Sequence, residues 1–314
     1  MNDGKGPMRP VISLAVGPTT KGRGGTFVRV LTELARRDAS IKIGETLDDG
    51  RVVVGGMSES HLDSICADLA KACTLPLSIG EPSVILLETI RRAAEAEGKY
   101  IRQTGGSGNY GHCKIRLSPS VPGKGYEFIN NISGDAIPDE FIKPIDTGIR
   151  EAMSCGILAG CPVVDVTVTL YDGSFHETDS NPMAFQIAGA MAFKDAAKKA
   201  SPVLIEPVMA VEAVIAETQY RELLQDINAR HGRIEAVEWG NNSGAFKALV
   251  PLRETLRSSA RGQLEYPIQF ARYEPVLNPH GEFGGDVLGV GVRNPRLPNL
   301  NSGRAEAELY FELE

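Results

Sequence analysis

Apolar positions along the first eighty residues switch between two spacings. The run from Pro10 to Val16 reads as a strand, and Phe27, Leu31, Leu34 and Ala35 then recur at helical spacing on a segment ending near Asp38. Short strands follow at 40–43 and 51–54, joined across the turn signal Asp48-Asp49-Gly50. Leu62, Ile65, Cys66, Leu69 and Cys73 make one apolar helical face, and a strand at 75–79 closes the unit. The order βαββαβ is the ferredoxin-like split pattern. It returns near the other end. Pro207-Val208-Met209-Ala210-Val211 echoes Pro10-Val11-Ile12-Ser13-Leu14, a helix is expected over about 218–230, and strands at 232–237 and 245–250 flank Gly240-Asn241-Asn242.

Residues 88–205 carry a different pattern. Strands are expected at 112–117, 126–132 and 163–171, and helices at 138–157 and 182–200, the second Ala-rich with Lys194, Lys198 and Lys199 in its last turns. Met183, Ile187 and Met191 read as its core side. Asp165 reads as the solvent face of a strand. The chain is therefore expected to be α+β and to divide into 10–87, 88–205 and 206–275, with a tail at 1–9 and an extension at 276–314. Within that extension 276–300 reads as a linker, and Leu309, Phe311 and Leu313 alternate with polar residues as an edge strand does.

The 314 residues suffice for two or three cores. A net charge of −7, from 33 Lys and Arg against 40 Asp and Glu, excludes a uniformly basic nucleic-acid-binding surface and leaves room only for a local patch. One exists between residues 91 and 116, where Arg91, Arg92, Lys99, Arg102, Lys114 and Arg116 stand against Glu95 and Glu97. Cys66, Cys73, Cys113, Cys155 and Cys161 lack metal or disulfide spacing and read as reduced thiols. No apolar run approaches the ~20 residues of a membrane span, and the start is no targeting segment, so a cytoplasmic location is expected.

The basic patch brackets Gly105, Gly106, Ser107, Gly108, Asn109, Tyr110 and Gly111, whose glycines allow a tight exposed loop. Gly106, Gly108 and Gly111 also spell G-x-G-x-x-G. That dinucleotide fingerprint requires a following helix, and residues 112–117 alternate as a strand, so the nucleotide reading fails. Glu59, His61 and Asp63 face different sides of a helix and make no metal site. His176 and Glu177 lack a nucleophile or pocket, so no catalytic residue and no cofactor is expected. His112 is expected to orient a strand end.

Several stretches in order carry a resemblance: Gly55-Gly56-Met57-Ser58-Glu59-Ser60-His61-Leu62-Asp63, Gln103-Thr104-Gly105-Gly106, Asn109-Tyr110-Gly111-His112, Tyr171-Asp172-Gly173-Ser174-Phe175-His176 and Gly232-Arg233-Ile234-Glu235. Over about residues 10–275 the chain resembles the C-terminal domains III, IV and V of translation elongation factor G. The resemblance implies two ferredoxin-like domains flanking a ribosomal-protein-like α+β domain with a left-handed βαβ crossover, which runs against the usual hand.

It further implies that the tip of domain IV contacts ribosomal RNA, tRNA and mRNA at the decoding site. Two loops would form that tip, 105–111 and 172–179, with RNA-facing candidates Arg102, Gly105, Gly106, Ser107, Gly108, Asn109, Tyr110, Lys114, Asp172 and His176. Glycine amides can approach phosphates, Tyr110 can stack on a base, and His176 can donate to phosphate or a 2′-hydroxyl. Ser107 stands where the family usually has an arginine, and a family segment is missing between Pro251 and Leu256, which predicts a short second helix in the domain V-like unit.

No G-x-x-x-x-G-K-[ST] phosphate loop occurs in the sequence, so this polypeptide is expected to hydrolyse no GTP alone. Two other readings stay open: the non-GTPase part of a split factor acting with a GTPase subunit, with apolar surface exposed around Phe27 and Leu31, or a diverged paralogue with a protein-interaction role.

Overall fold

The computed structural model describes residues 9–19, 24–104, 107–240, 243–253 and 268–276. They fall into two compact units, one holding residues up to Ile85 together with Glu206–Glu274, the other Leu86–Ile205 with Pro275–Leu277.

In the first unit the split pattern forms as the spacing predicts. Strands β1 (Ile12–Pro18), β2 (Lys42–Thr46), β3 (Val52–Gly56) and β4 (Leu77–Ile79) alternate with helices α1 (Gly24–Arg37) and α2 (Glu59–Cys73), and the sheet runs β2-β3-β1-β4, with the short β5 (Ser83–Val84) also on β1. Ser58 caps α2 by accepting the His61 N–H, and Thr74 ends it in the left-handed region. All five apolar positions named for α2 are buried. His61 sits in that first turn and reaches Asp38 at 3.2 Å. Phe27 and Leu31 are buried under the sheet, so neither offers the exposed apolar surface that a missing neighbour would leave.

The same topology recurs from β11 (Pro202–Ala216) through α5 (Tyr220–Ala229), β12 (Arg233–Trp239), β13 (Ser243–Pro251) and β14 (Ile268–Pro275), ordered β12-β13-β11-β14. The expected short helix between β13 and β14 lies outside the described residues, as do the tail, the linker and the edge strand expected beyond Val276.

The second unit begins with β6 (Leu87–Ile90), which pairs with the first residues of β11. Its main sheet is β7-β8-β10-β9, built from β7 (Ala94–Thr104), β8 (Ser107–Pro119), β9 (Tyr126–Asn130) and β10 (Val166–Ser174). β9 and β10 are parallel neighbours, with α3 (Asp139–Cys155) as their crossover, and α4 (Pro182–Lys199) follows β10. Alternation sends Cys113, Ile115, Leu117, Val166, Val168 and Leu170 into one core with Phe141, Ile145, Ile149, Phe185 and Phe193 of the two helices. Tyr110, His112, Lys114, Asp172 and Ser174 fall on the opposite face.

Three side chains, Met183, Met191 and Asp165, depart from expectation, and a fourth, Glu88, is buried without any expectation having singled it out. Met183 and Met191 are 70% and 41% exposed, because α4 packs through Ala184, Ala188, Ala192, Ala196 and Ala197 instead. Asp165 precedes β10 at a φ of 57° and accepts the Gly123 and Gly125 amides at 2.9 and 2.8 Å, so it closes a loop instead of facing solvent from a strand. Glu88, in the middle of an apolar stretch, is completely buried. One of its oxygens accepts the Ile157 and Leu158 amides and the other those of Ala159 and Cys161, at 2.6 to 3.1 Å.

Candidate nucleic-acid interface

The glycine-rich stretch is the end of a long hairpin. β7 and β8 stay in register to Thr104↔Ser107. Gly105, Gly106 and the side chain of Ser107 lie outside the described residues. Beyond Gly111 the chain continues as strand, in keeping with the rejection of the dinucleotide reading. The remaining glycines answer to close packing. A Cβ at Gly111 would overlap the carbonyl of Ala184 in α4, and one at Gly108 would stand 2.8 Å from Asp179 Cγ.

The second loop is shorter than 172–179, because β10 continues through Ser174 and Asp172 is a strand residue. Residues 175–181 turn back toward the hairpin and are fastened to it. Asp179 Oδ1 accepts the Gly108 amide at 3.0 Å, and the Tyr110 amide donates to the Asp179 carbonyl at 2.8 Å. Asn181 donates from its side chain to Asn109 Oδ1 at 2.7 Å and, through Oδ1, accepts the Ala184 amide at the start of α4. The His176 amide donates to Ser180 Oγ at 2.9 Å. These bonds make one tip from two loops.

On that tip the rings of Tyr110 and His176 meet edge to face, with centroids 5.4 Å apart. His176 is exposed and its ring makes no hydrogen bond among the described residues. Arg102, opposite Asn109 on β7, is exposed and makes no ion pair among the described residues, and the same holds for Lys99. Lys114 and Asp172 are instead committed to each other at 2.7 Å. The bond from Lys114 holds the Asp172 carboxyl below its ordinary range, and the same bond pushes the Lys114 ammonium up. Arg116 is similarly held by Glu95 at 2.6 Å. Of the basic patch read from sequence, Lys114 and Arg116 are answered by acids, whereas Arg91, Arg92, Lys99 and Arg102 make no ion pair among the described residues.

Beneath the rings lies a polar network. Ser174 Oγ is 2.8 Å from the Tyr110 hydroxyl and 2.7 Å from His112 Nδ1. His112 Nε2 stands 3.3 Å from Glu97 Oε1, within ion-pair range, yet makes no hydrogen bond. His112 thus positions the strand ends, as expected. Burial lowers its pKa below 6.5, against an opposing pull from Glu97. Above pH 6.5 the ring is neutral whether folded or not. As pH falls below 6.5 the unfolded chain takes the proton first, so stability is lost until the lower folded value is passed. Thermal melts of His112→Gln are expected to lose that share of the slope below pH 6.5; an unchanged profile would show that His112 does not titrate this way.

Ser174, Asp179, Asn181 and Glu97 organise the site without having been singled out as candidates. Asn181 before Pro182 carried a readable signal, an N-cap followed by proline at the first helical position. The other three act through partners distant in sequence.

Comparison with known proteins places this geometry. A model of elongation factor G domain III matches residues 8–81, and one of elongation factor G domain IV matches residues 82–201. Among solved structures, a crystal structure of a protein from Thermus thermophilus is similar at 34% identity with a TM-score of 0.64, covering 87% of this chain and 41% of that one. The present chain thus spans less than half the length of that relative.

Proposed function

The chain belongs to the elongation factor G family, through that family's domains III and IV, and from that premise we propose that its domain IV tip contacts ribosomal RNA or tRNA at the ribosome. The observation that carries the reading is the fastening of residues 175–181 to the β7–β8 hairpin through Asp179, which holds Arg102, Tyr110 and His176 together at one end of the domain. The Arg102 guanidinium, which makes no ion pair among the described residues, suits a phosphate, while the half-buried ring of Tyr110 and the exposed ring of His176 suit a base or a ribose hydroxyl. The last ferredoxin-like repeat takes the place of domain V. The sequence contains no phosphate loop, so the role proposed is ribosome contact without GTP hydrolysis by this chain, with any nucleotide chemistry supplied by a GTPase partner. Its site of action is the cytoplasm, and no helix among the described residues is long and apolar enough to cross a membrane.

Co-sedimentation of the purified chain with ribosomes across a salt series tests this. Binding is expected to weaken with salt and to be indifferent to GTP. Arg102→Ala should reduce the slope of log affinity against log salt by about one, whereas Lys114→Ala, whose charge Asp172 already answers, should leave it nearly unchanged. His176→Ala is expected to stay within about 0.5 kcal/mol of the parent in stability while weakening binding. Absence of salt-sensitive binding, or equal effects of Arg102→Ala and Lys114→Ala, would overturn the site.

A further inference from the structure

Cations collect at the C-terminal end of α4. Lys194, Lys198 and Lys199 occupy its last turns with exposed side chains, and the exposed Arg91 and Arg92 join them from the turn between β6 and β7. Hydrogen bonds hold that turn against the helix end. The amides of Arg91 and Arg92 both donate to the Ala200 carbonyl, at 3.2 and 3.1 Å, and Arg92 Nε donates to the Lys199 carbonyl at 2.9 Å. Two elements distant in sequence are thus fastened so that their charges share one surface.

The ordinary reasons for surface cations do not account for this cluster. A helix C-terminus favours a positive charge, but the Arg92 guanidinium already sits on the carbonyl of the last residue of α4. Along the body of the same unit Lys114, Arg116, Lys124 and Arg150 each meet an acid. Around the end of α4 the acid on the helix is Asp195, and none of Arg91, Arg92, Lys194, Lys198 and Lys199 makes an ion pair among the described residues. Like charges gathered this way repel one another, and a polyanion seated on them would relieve the repulsion.

The composition of the cluster indicates which polyanion. It has no ring and no amide side chain with which to read a base, and lysine offers a point charge suited to phosphate oxygens. Its charges are spread over the last turns of a helix and an adjoining turn instead of converging on one pocket, which suits a repeating phosphate backbone better than a small anion. α4 also fixes where that backbone would lie, since the helix starts at the Asn181 cap bonded into the tip and Lys198 stands about 25 Å farther along it. We propose that the cluster is a second RNA contact, separate from the tip, which grips the phosphate backbone of ribosomal RNA without reading its sequence; this rests on the reading that the second unit meets ribosomal RNA.

The salt dependence of ribosome binding by the full chain tests it. Lys194→Gln/Lys198→Gln/Lys199→Gln is expected to reduce the slope of log affinity against log salt by about 2–3, with an unchanged melting curve, and the charge-conserving Lys194→Arg/Lys198→Arg/Lys199→Arg should keep the parental slope. Combining the glutamine variant with Arg102→Ala should lower the slope by about one more. An unchanged slope in the glutamine variant would overturn the second contact and leave the tip, which Arg102→Ala tests by itself. A slope moved by the lysines and not by Arg102 would overturn the tip and leave the cluster. Filter binding of protein-free ribosomal RNA must show the same loss; equal affinity of parent and glutamine variant for that RNA would overturn the proposal and assign the cluster to an acidic protein surface on the ribosome.

Discussion

Glu88→Ala is expected to destabilise the second unit by roughly 3–5 kcal/mol, at the far end of what single substitutions do. The side chain is completely buried, and its two oxygens accept four amides from residues 157–161, the connection that leads from α3 toward β10. Bonds to a carboxylate are stronger than neutral ones, and buried donors stripped of an acceptor each cost about 1–3 kcal/mol; partial access of water to the connection keeps the sum below four full penalties. Glu88→Gln separates charge from shape. Whichever oxygen becomes NH₂ presents hydrogens to two amide hydrogens, so the isosteric change should lose a large part of what Glu88→Ala loses. Chemical denaturation followed by far-UV circular dichroism reads both. A Glu88→Gln variant as stable as the parent would mean that the four amides find other acceptors, and the lock would be incidental.

Nothing along the chain announces that lock except a lone acid among Leu86, Leu87, Thr89 and Ile90. Its partners lie about 70 residues on, and long-range bonds leave no periodicity. Local patterns were legible where large apolar side chains mark the buried face, as Leu62, Ile65, Cys66, Leu69 and Cys73 do for α2. They failed where backbones come close together. β7 turns Ala94, Ala96 and Gly98 inward and Glu95, Glu97, Lys99 and Ile101 outward, so its buried face has too little side chain to register as apolar. α4 repeats part of the situation: alanines and Gly189 join Phe185 and Phe193 on its core side, and the methionines that sequence assigns inward are left outside.

The candidate site divides along the same line. The rings of Tyr110 and His176 are marked by motif, while the pairing that neutralises Lys114 and the carboxylate that fastens Gly108 depend on strands and loops brought together only by folding.

Close approach of backbones also sets the second large effect. At Gly98 and Gly111 an added Cβ would overlap the carbonyl oxygens of Ala188 and Ala184, which lie one helical turn apart on α4. A carbonyl inside a helix cannot swing aside without breaking its own hydrogen bond, so the strain must be relieved by moving α4 off the sheet. Overpacked cores lose typically 1–3 kcal/mol, and rigid backbone on one side of the contact puts Gly98→Ala and Gly111→Ala at about 3 kcal/mol each. Gly25→Ala in α1, where nothing among the described residues stands within 4 Å, should instead be neutral or stabilise by about 0.5–1 kcal/mol through helix propensity alone. Denaturation midpoints of the three variants decide the matter, and equal behaviour at positions 25 and 111 would refute close packing as the reason for glycine there. The consequence reaches the tip. Gly111 lies between Tyr110 and His112, and α4 begins at the Asn181 cap that also bonds Asn109. A helix pushed outward at Ala184 draws residues 175–181 with it, so Gly111→Ala should weaken ribosome binding even at temperatures where the protein remains folded, whereas Gly98→Ala, farther along the hairpin, should weaken it less.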